Sequence, residues 1–246
     1  PQDDAQAVVW YKKAAEQGLA EAQSSLGLMY LEGQGVPQDD AQAAAWYKKA
    51  AEQGDADAQF VLGVMYRQGR GIPQDDAQAV VWYKKAAEQG LAEAQYKLGL
   101  MYLEGRGVPQ DYAQAVVWYK KSAEQGNADA QFQLGYMYSV GKGVPEDDAQ
   151  AVVWFKKAAE QGHASAQFGL GVMYAHGRGV PQNDKIAYIL FNIAASKGNS
   201  NAVKKRDIVL DKLTPAARVD AQRISTRLYN AKDFAAELRK VLNASN

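Results

Sequence analysis

Apolar residues recur along this chain at helical spacing and break off at regular intervals. Ala7, Trp10, Tyr11, Ala14 and Ala15 fall at i, i+3, i+4, i+7 and i+8, one apolar stripe of an amphipathic helix. Ala22, Leu26, Met29 and Tyr30 make a second stripe and predict a helix over residues 20–32, with Gly27 beside the stripe. Both patterns then repeat. Pro1, Pro37, Pro73, Pro109, Pro145 and Pro181 stand 36 residues apart, and Trp10, Trp46, Trp82, Trp118 and Trp154 keep the same register. A period between about 20 and 50 residues marks a solenoid or array.

Local signals punctuate each unit. Asp3, Asp39 and Asp75 are placed as helix N-caps, with Gln6, Gln42 and Gln78 three residues on to complete reciprocal capping boxes. Gly18 and its equivalents supply left-handed C-caps. Gly27 recurs as Gly63, Gly99, Gly135 and Gly171. Glycine inside a helix costs about 1 kcal/mol against alanine, so its repetition predicts close approach of the tryptophan helix. In Gly33-Gln34-Gly35-Val36-Pro37 two glycines permit positive φ and the proline then fixes φ, which reverses the chain. Each unit is therefore expected to be a helical hairpin, and the hairpins to stack because none can bury its own apolar face.

The last unit departs from the pattern. Leu190 replaces the tryptophan, Asn183 and Ile186 lose the box, and NSNAVKKRDIVLDKL lacks both LGxMY and the paired glycines. The array is expected to stop near Ser200. Thr214-Pro215 then starts a helix to about Tyr229, and Asp233 caps a final one reaching Val241 or Leu242.

Composition narrows the chemistry. Of 246 residues 47% are hydrophobic, enough for a sizeable core, and the 28 basic and 28 acidic residues cancel, so nucleic acid is not an expected partner. No apolar run approaches the roughly 20 residues that cross a bilayer, and the opening PQDDAQ is not a signal peptide. That opening falls partway through a repeat, so upstream sequence is expected. Cysteine is absent, which excludes thiolate chemistry and leaves the compartment undetermined.

Candidate chemistry reduces to structure on inspection. The pairs Asp3-Asp4, Asp39-Asp40, Asp75-Asp76 and Asp147-Asp148 read as helix caps. Paired glycines end helices rather than follow strands, so they hold no dinucleotide. Gly141-Lys142-Gly143 lacks the first glycine and the Ser/Thr of a phosphate loop. His163 and His176 have no companions for a zinc set. Lysine pairs such as Lys12-Lys13 and Lys84-Lys85 face Glu16 and Glu88 one turn on and read as a self-neutralised surface. No catalytic, cofactor or metal residues are assigned, and no enzyme is expected.

The strings AxxWYKKAAEQG and AxAQxxLGxMYxxGxGVPQD, with the 36-residue period, closely resemble the Sel-one-like repeat family, a relative of the tetratricopeptide repeats. The resemblance places the second helix of a truncated repeat at 1–19, five repeats at 20–199 and capping helices at 200–246. It implies an all-α, α/α superhelical solenoid with a concave and a convex side. It also implies an adaptor or scaffold role in an exported bacterial protein; the expected partner is a protein or peptide, with no direct membrane insertion, and the chain is expected to be a monomer. The alternative reading is a cell-envelope enzyme or enzyme subunit acting on cell-wall material. A cysteine-rich branch of the family is associated with β-lactam binding, and this chain has none of its cysteines.

Partner choice is then expected where repeats differ. Around the LGxMY helix, Ser25 becomes Val61, Lys97, Gln133 and Gly169, and Leu31 becomes Arg67, Leu103, Ser139 and Ala175. Glu32 becomes Gln68, Glu104, Val140 and His176. Arg67, Lys97, Leu103, Glu104, Gln133, Tyr136 and His176 are the candidate partner-binding residues. Phe60, Tyr96, Phe132 and Phe168 read either as packing between repeats or as the wall of an apolar groove.

Overall fold

The computed structural model describes residues 2–243, with side chains from Asp4 onward, and among these there are fourteen helices and no strand. The tryptophan helices are α1 (Gln2–Glu16), α3 (Asp40–Glu52), α5 (Asp76–Glu88), α7 (Tyr112–Glu124) and α9 (Asp148–Glu160), with α11 (Asp184–Ser196) in the same register. Between them run the LGxMY helices α2 (Ala20–Glu32), α4 (Ala56–Gln68), α6 (Ala92–Glu104), α8 (Ala128–Val140) and α10 (Ala164–His176), followed by α12 (Ser200–Lys212). The chain closes with α13 (Pro215–Tyr229) and α14 (Phe234–Asn243), capped by Thr214 and Asp233 as the sequence indicates.

The capping box forms only by half. Asp39 Oδ1 accepts from Ala41 and Gln42, and Asp75 and Asp147 accept from Gln78 and Gln150. The reciprocal donor is already engaged, because the Asp39 N–H bonds the Tyr30 carbonyl at 2.9 Å, as Asp75 does Tyr66 and Asn183 does Tyr174. The end of each LGxMY helix thus satisfies the start of the next tryptophan helix. The cap expected at Asp3 lies outside the described side chains.

The second aspartate of each pair has a role that capping does not supply. Arg70 Nε reaches Asp40 at 2.9 Å, Arg106 reaches Asp76 at 3.1 Å, and Arg178 bonds both oxygens of Asp148. These bonds pin the three glycine loops that carry Arg70, Arg106 and Arg178 onto the tryptophan helices 30 residues earlier. Glycine is required there. A Cβ on Gly71, whose φ is +69°, would overlap the Asp40 carbonyl.

Close approach at the helical glycines is confirmed, and the structure names its agent. A Cβ on Gly63 would sit 2.7 Å from the Tyr83 ring, and Gly27, Gly99, Gly135 and Gly171 meet Tyr47, Tyr119, Phe155 and Phe191 in the same way. The residue after each tryptophan therefore lies flat on the helix before it.

The chain divides into two compact units, residues 1–121 and 122–246. In the first, Trp46, Trp82 and Trp118 each complete the core of the hairpin before them. Trp46 joins Val8, Leu26 and Met29, and Trp82 joins Tyr47, Leu62 and Met65. A buried amide chain runs beside these cores. Gln59 donates to the Ala51 carbonyl at 3.0 Å and accepts from Gln89 at 2.8 Å, and Gln23 stands likewise between Ala15 and Gln53. The second lysine of each pair rests on its tryptophan, with Lys49 Nζ 4.0 Å from the Trp46 ring and Lys85 Nζ 4.1 Å from Trp82, while Lys84 approaches Glu88 at 3.9 Å.

The second unit repeats this packing and then modifies it. On α9 the outer positions are Gln150, Val153 and Lys157, whereas on α11 they are Ile186, Ile189 and Ile193, all buried. This extra apolar face receives α13 and α14 through Ala221, Leu228, Leu238, Val241 and Leu242, which share one core with it.

Candidate functional site

In each of the two units the LGxMY helices carry half-buried rings. Phe60 lies 5.9 Å from Tyr83, Tyr96 5.8 Å from Tyr119, Phe132 6.0 Å from Phe155, and Phe168 5.6 Å from Phe191, all tilted. The packing reading holds for all four rings. One edge of each ring packs on the next tryptophan helix, and in the second unit Phe132 and Phe168 also wall an open cavity.

Burial governs the phenols beneath these rings. It pushes Tyr47 up to about 12, helped by Glu32 and Asp55, and pushes Tyr83 up to about 12 against the opposing charge of Arg67. Tyr119 rises further, its hydroxyl buried without a hydrogen-bond partner.

In the first unit, Arg67 is half-buried and its Nε has no hydrogen-bond partner. Lys97 places Nζ 5.3 Å from the Tyr96 ring. Leu103 is half-buried and gives its carbonyl to Gln110, and Glu104 sits exposed at the helix end, 3.8 Å from Arg106. A shallow hollow of about 310 Å³ lies on this face between Ser24, Ser25, Leu28, Tyr47, Asp57 and Val61. None of the four candidates lines it.

In the second unit, Gln133 is half-buried, Tyr136 is 47% exposed, and His176 is exposed at the end of α10. Only Tyr136 of the three lines the cavity, which holds about 390 Å³. Its other walls are Phe132, Ser139, Phe155, Ser165, Phe168, Gly169, Val172 and Met173, with Arg178, Asn199 and Asn201 at the polar side. Sequence reasoning placed Ser139 and Gly169 in variable series without selecting them, because it looked for large or charged anchors. The usable signal was size: Gly169 is the smallest member of its series, and Ser139 is smaller than every member of its own except Ala175. His163 holds the cavity wall from behind: its Nδ1 caps α10 by accepting from Ala166, its Nε2 lies 3.1 Å from Asp129, and its ring stacks on Phe132 at 4.9 Å.

Among the described residues no group of three or more His, Cys, Asp or Glu side chains is placed to hold a metal ion, and no helix is long and apolar enough to cross a membrane.

Stacked helical hairpins of 36-residue period, joined by amide and Arg–Asp bonds, define an α/α solenoid repeat protein. The Sel1 repeat model matches residues 1–19, 20–55, 56–91, 92–127, 128–163 and 164–199, and the chain belongs to the Sel1 repeat family. Solved structures are similar to it, among them two Sel1-type repeat proteins. A protective antigen of uropathogenic Escherichia coli with an SLR fold shares 44% identity at a TM-score of 0.82, over 91% of this chain and 49% of its own. A Sel1 repeat protein from Oxalobacter formigenes shares 43% identity at a TM-score of 0.70, over 80% of this chain and 57% of its own. The chain thus spans about half the length of these relatives. Among curated proteins none matches it.

Proposed function

We propose that this chain is a non-enzymatic interaction scaffold that docks a peptide or a protein helix on the face lined by the LGxMY helices. The supporting observation is the contrast between the two helix types. On the tryptophan helices from α3 to α9 the large rings are buried and the exposed residues repeat, so that face presents nearly the same chemistry at each of these repeats. On the LGxMY face half-exposed aromatic residues stand beside positions whose chemistry changes from unit to unit. Aromatic and arginine anchors in partly formed hollows are what concentrates binding energy at protein interfaces.

Peptides selected by display against the purified chain test the reading. Arg67→Ala and Tyr136→Ala are expected to weaken the selected ligands by about tenfold or more, which corresponds to roughly 1.4 kcal/mol. The helical circular dichroism should stay unchanged. Lys12→Ala and Lys84→Ala on the tryptophan helices should leave affinity within about twofold. Loss of binding confined to the lysine variants would place recognition on the other helix.

A further inference from the structure

We propose that the cavity between α8, α10 and the start of α12 is a receptor for one uncharged aromatic side chain of a partner peptide. Three truncated positions, Ser139, Ser165 and Gly169, create it. The proposal rests on the docking reading above and adds the chemistry of the occupant.

Equivalent positions in the other repeats show what has been removed. Gly169 stands where Ser25, Val61, Lys97 and Gln133 carry side chains, Ser139 where Leu31, Arg67 and Leu103 carry larger ones and only Ala175 a smaller one, and Ser165 where Glu21, Asp57, Glu93 and Asp129 place an acid. These changes fall on one site, since all three residues line the same cavity. At Gly169 the effect is direct. A Cβ there would lie 3.1 Å from Cζ of Phe155, so its absence leaves the end of that ring uncovered.

The remaining walls select the ligand. Phe132, Tyr136, Phe155 and Phe168 offer ring edges and faces, and Phe132 is held between Phe155 at 6.0 Å and His163 at 4.9 Å. A wall already fixed loses little freedom on binding, and tilted ring pairs attract beyond their burial. Charge is unwelcome in this site. The acid of the other repeats is replaced by Ser165, and by Asn201 in the next unit, which leaves Arg178 as the one ionic residue of the lining. Its guanidinium is committed to Asp148 at 2.7 Å, Glu146 at 2.9 Å and the Ser139 carbonyl at 2.8 Å. A charged side chain entering here would lose hydration with no counter-charge in return. Asn199 and Asn201 at the rim are amides suited to a peptide main chain.

The probes are four acetylated, amidated pentapeptides, Ala-Ala-Xaa-Ala-Ala with Xaa as Trp, Leu, Glu or Lys, titrated into the ¹⁵N-labelled chain. The Trp peptide is expected to move the amides of Ser139, Ser165 and Gly169 and to bind about tenfold or more tighter than the Glu and Lys peptides, with Leu between. Gly169→Gln and Ser139→Leu restore side chains that this fold already carries at Gln133 and Leu103, and each should abolish the shifts while circular dichroism and melting stay at parent values. Should either variant misfold, Ser165→Asp, which returns the acid of Asp129, gives the same readout. Equal binding of the charged peptides, tighter binding of Leu than of Trp, retained binding in a folded Gly169→Gln chain, or no shift up to about 10 mM peptide would overturn the proposal. The two readings fail separately. Display-selected ligands that respond to Arg67→Ala but not to Gly169→Gln leave the face in place and remove the cavity, and a Trp peptide bound at Gly169 beside ligands indifferent to Arg67→Ala does the reverse.

Discussion

A single side chain type, the aromatic ring after each tryptophan, carries much of this structure. The sequence made Gly27 and Gly63 legible as points of close approach, yet the agent it pointed to was the tryptophan helix as a whole. Tyr47 and Tyr83 are the residues that lie there, and nothing in spacing alone distinguishes the tyrosine from its neighbour, since both fall on the same stripe. Their burial gives a titration signature. The unfolded phenols ionise near pH 10, whereas in the fold Tyr47 and Tyr83 are held protonated up to about 12. The native state thus binds more protons between those values, and stability that is complete below pH 10 declines as pH rises toward 12. Tyr83→Phe, which takes the residue found at Phe155, is expected to flatten that decline in denaturant titrations at pH 9 to 12 by roughly 2 kcal/mol. The tryptophans have the ordinary role of large core residues. Trp82→Ala is expected to cost about 3–5 kcal/mol, while Trp10→Ala, whose ring is 68% exposed, should cost under about 1 kcal/mol. Equal losses in urea titrations would contradict the stacked core.

At the scale of elements, helix limits were readable because each is fixed by a local signal. The range 20–32 came from its apolar stripe and from Gly33, whose φ of +70° ends the helix in the left-handed region. Long-range bonds were not readable. Capping explained the first aspartate of each pair and concealed the second, because the arginine that meets Asp40 or Asp76 lies 30 residues away. The same limit applies to the capping box, where a backbone carbonyl of the previous helix supplants the glutamine. Substitution at the glycine crossing tests how tightly the elements are joined. Gly63→Ala gains helix propensity of about 1 kcal/mol but forces a methyl within 2.7 Å of the Tyr83 ring, and overpacking of that kind costs about 1–3 kcal/mol. A lowered melting temperature is expected, whereas Gly63→Ala melting above the parent would mean that the two helices separate easily.

Across the whole molecule, the fold class and its repeat were the most legible features, and the cavity was the least. Repetition announces a solenoid, but the cavity arises where Ser165 and Gly169 are smaller than all their equivalents and Ser139 smaller than all but Ala175, and only the structure shows that they converge. The C-terminal helices fall between these extremes. Thr214-Pro215 located α13, while the receiving surface was hidden in three isoleucines that looked like ordinary helix residues. Deleting residues 214–246 would expose Ile186, Ile189 and Ile193 together, and the shortened chain is expected to self-associate by light scattering while the full chain does not. A monomeric, equally soluble product would show that α11 needs no cover. The bonds between successive repeats carry a different implication. Gln23 with Gln53, Gln59 with Gln89, and Asp40 with Arg70 all span 30 residues within a 36-residue period. An in-frame gain or loss of one period in the coding sequence would therefore rebuild every one of these joints with new partners of the same kind. A gene for such a chain can lengthen or shorten by recombination between its own near-identical segments, and each inserted segment would bring its own variable residues to the LGxMY helices.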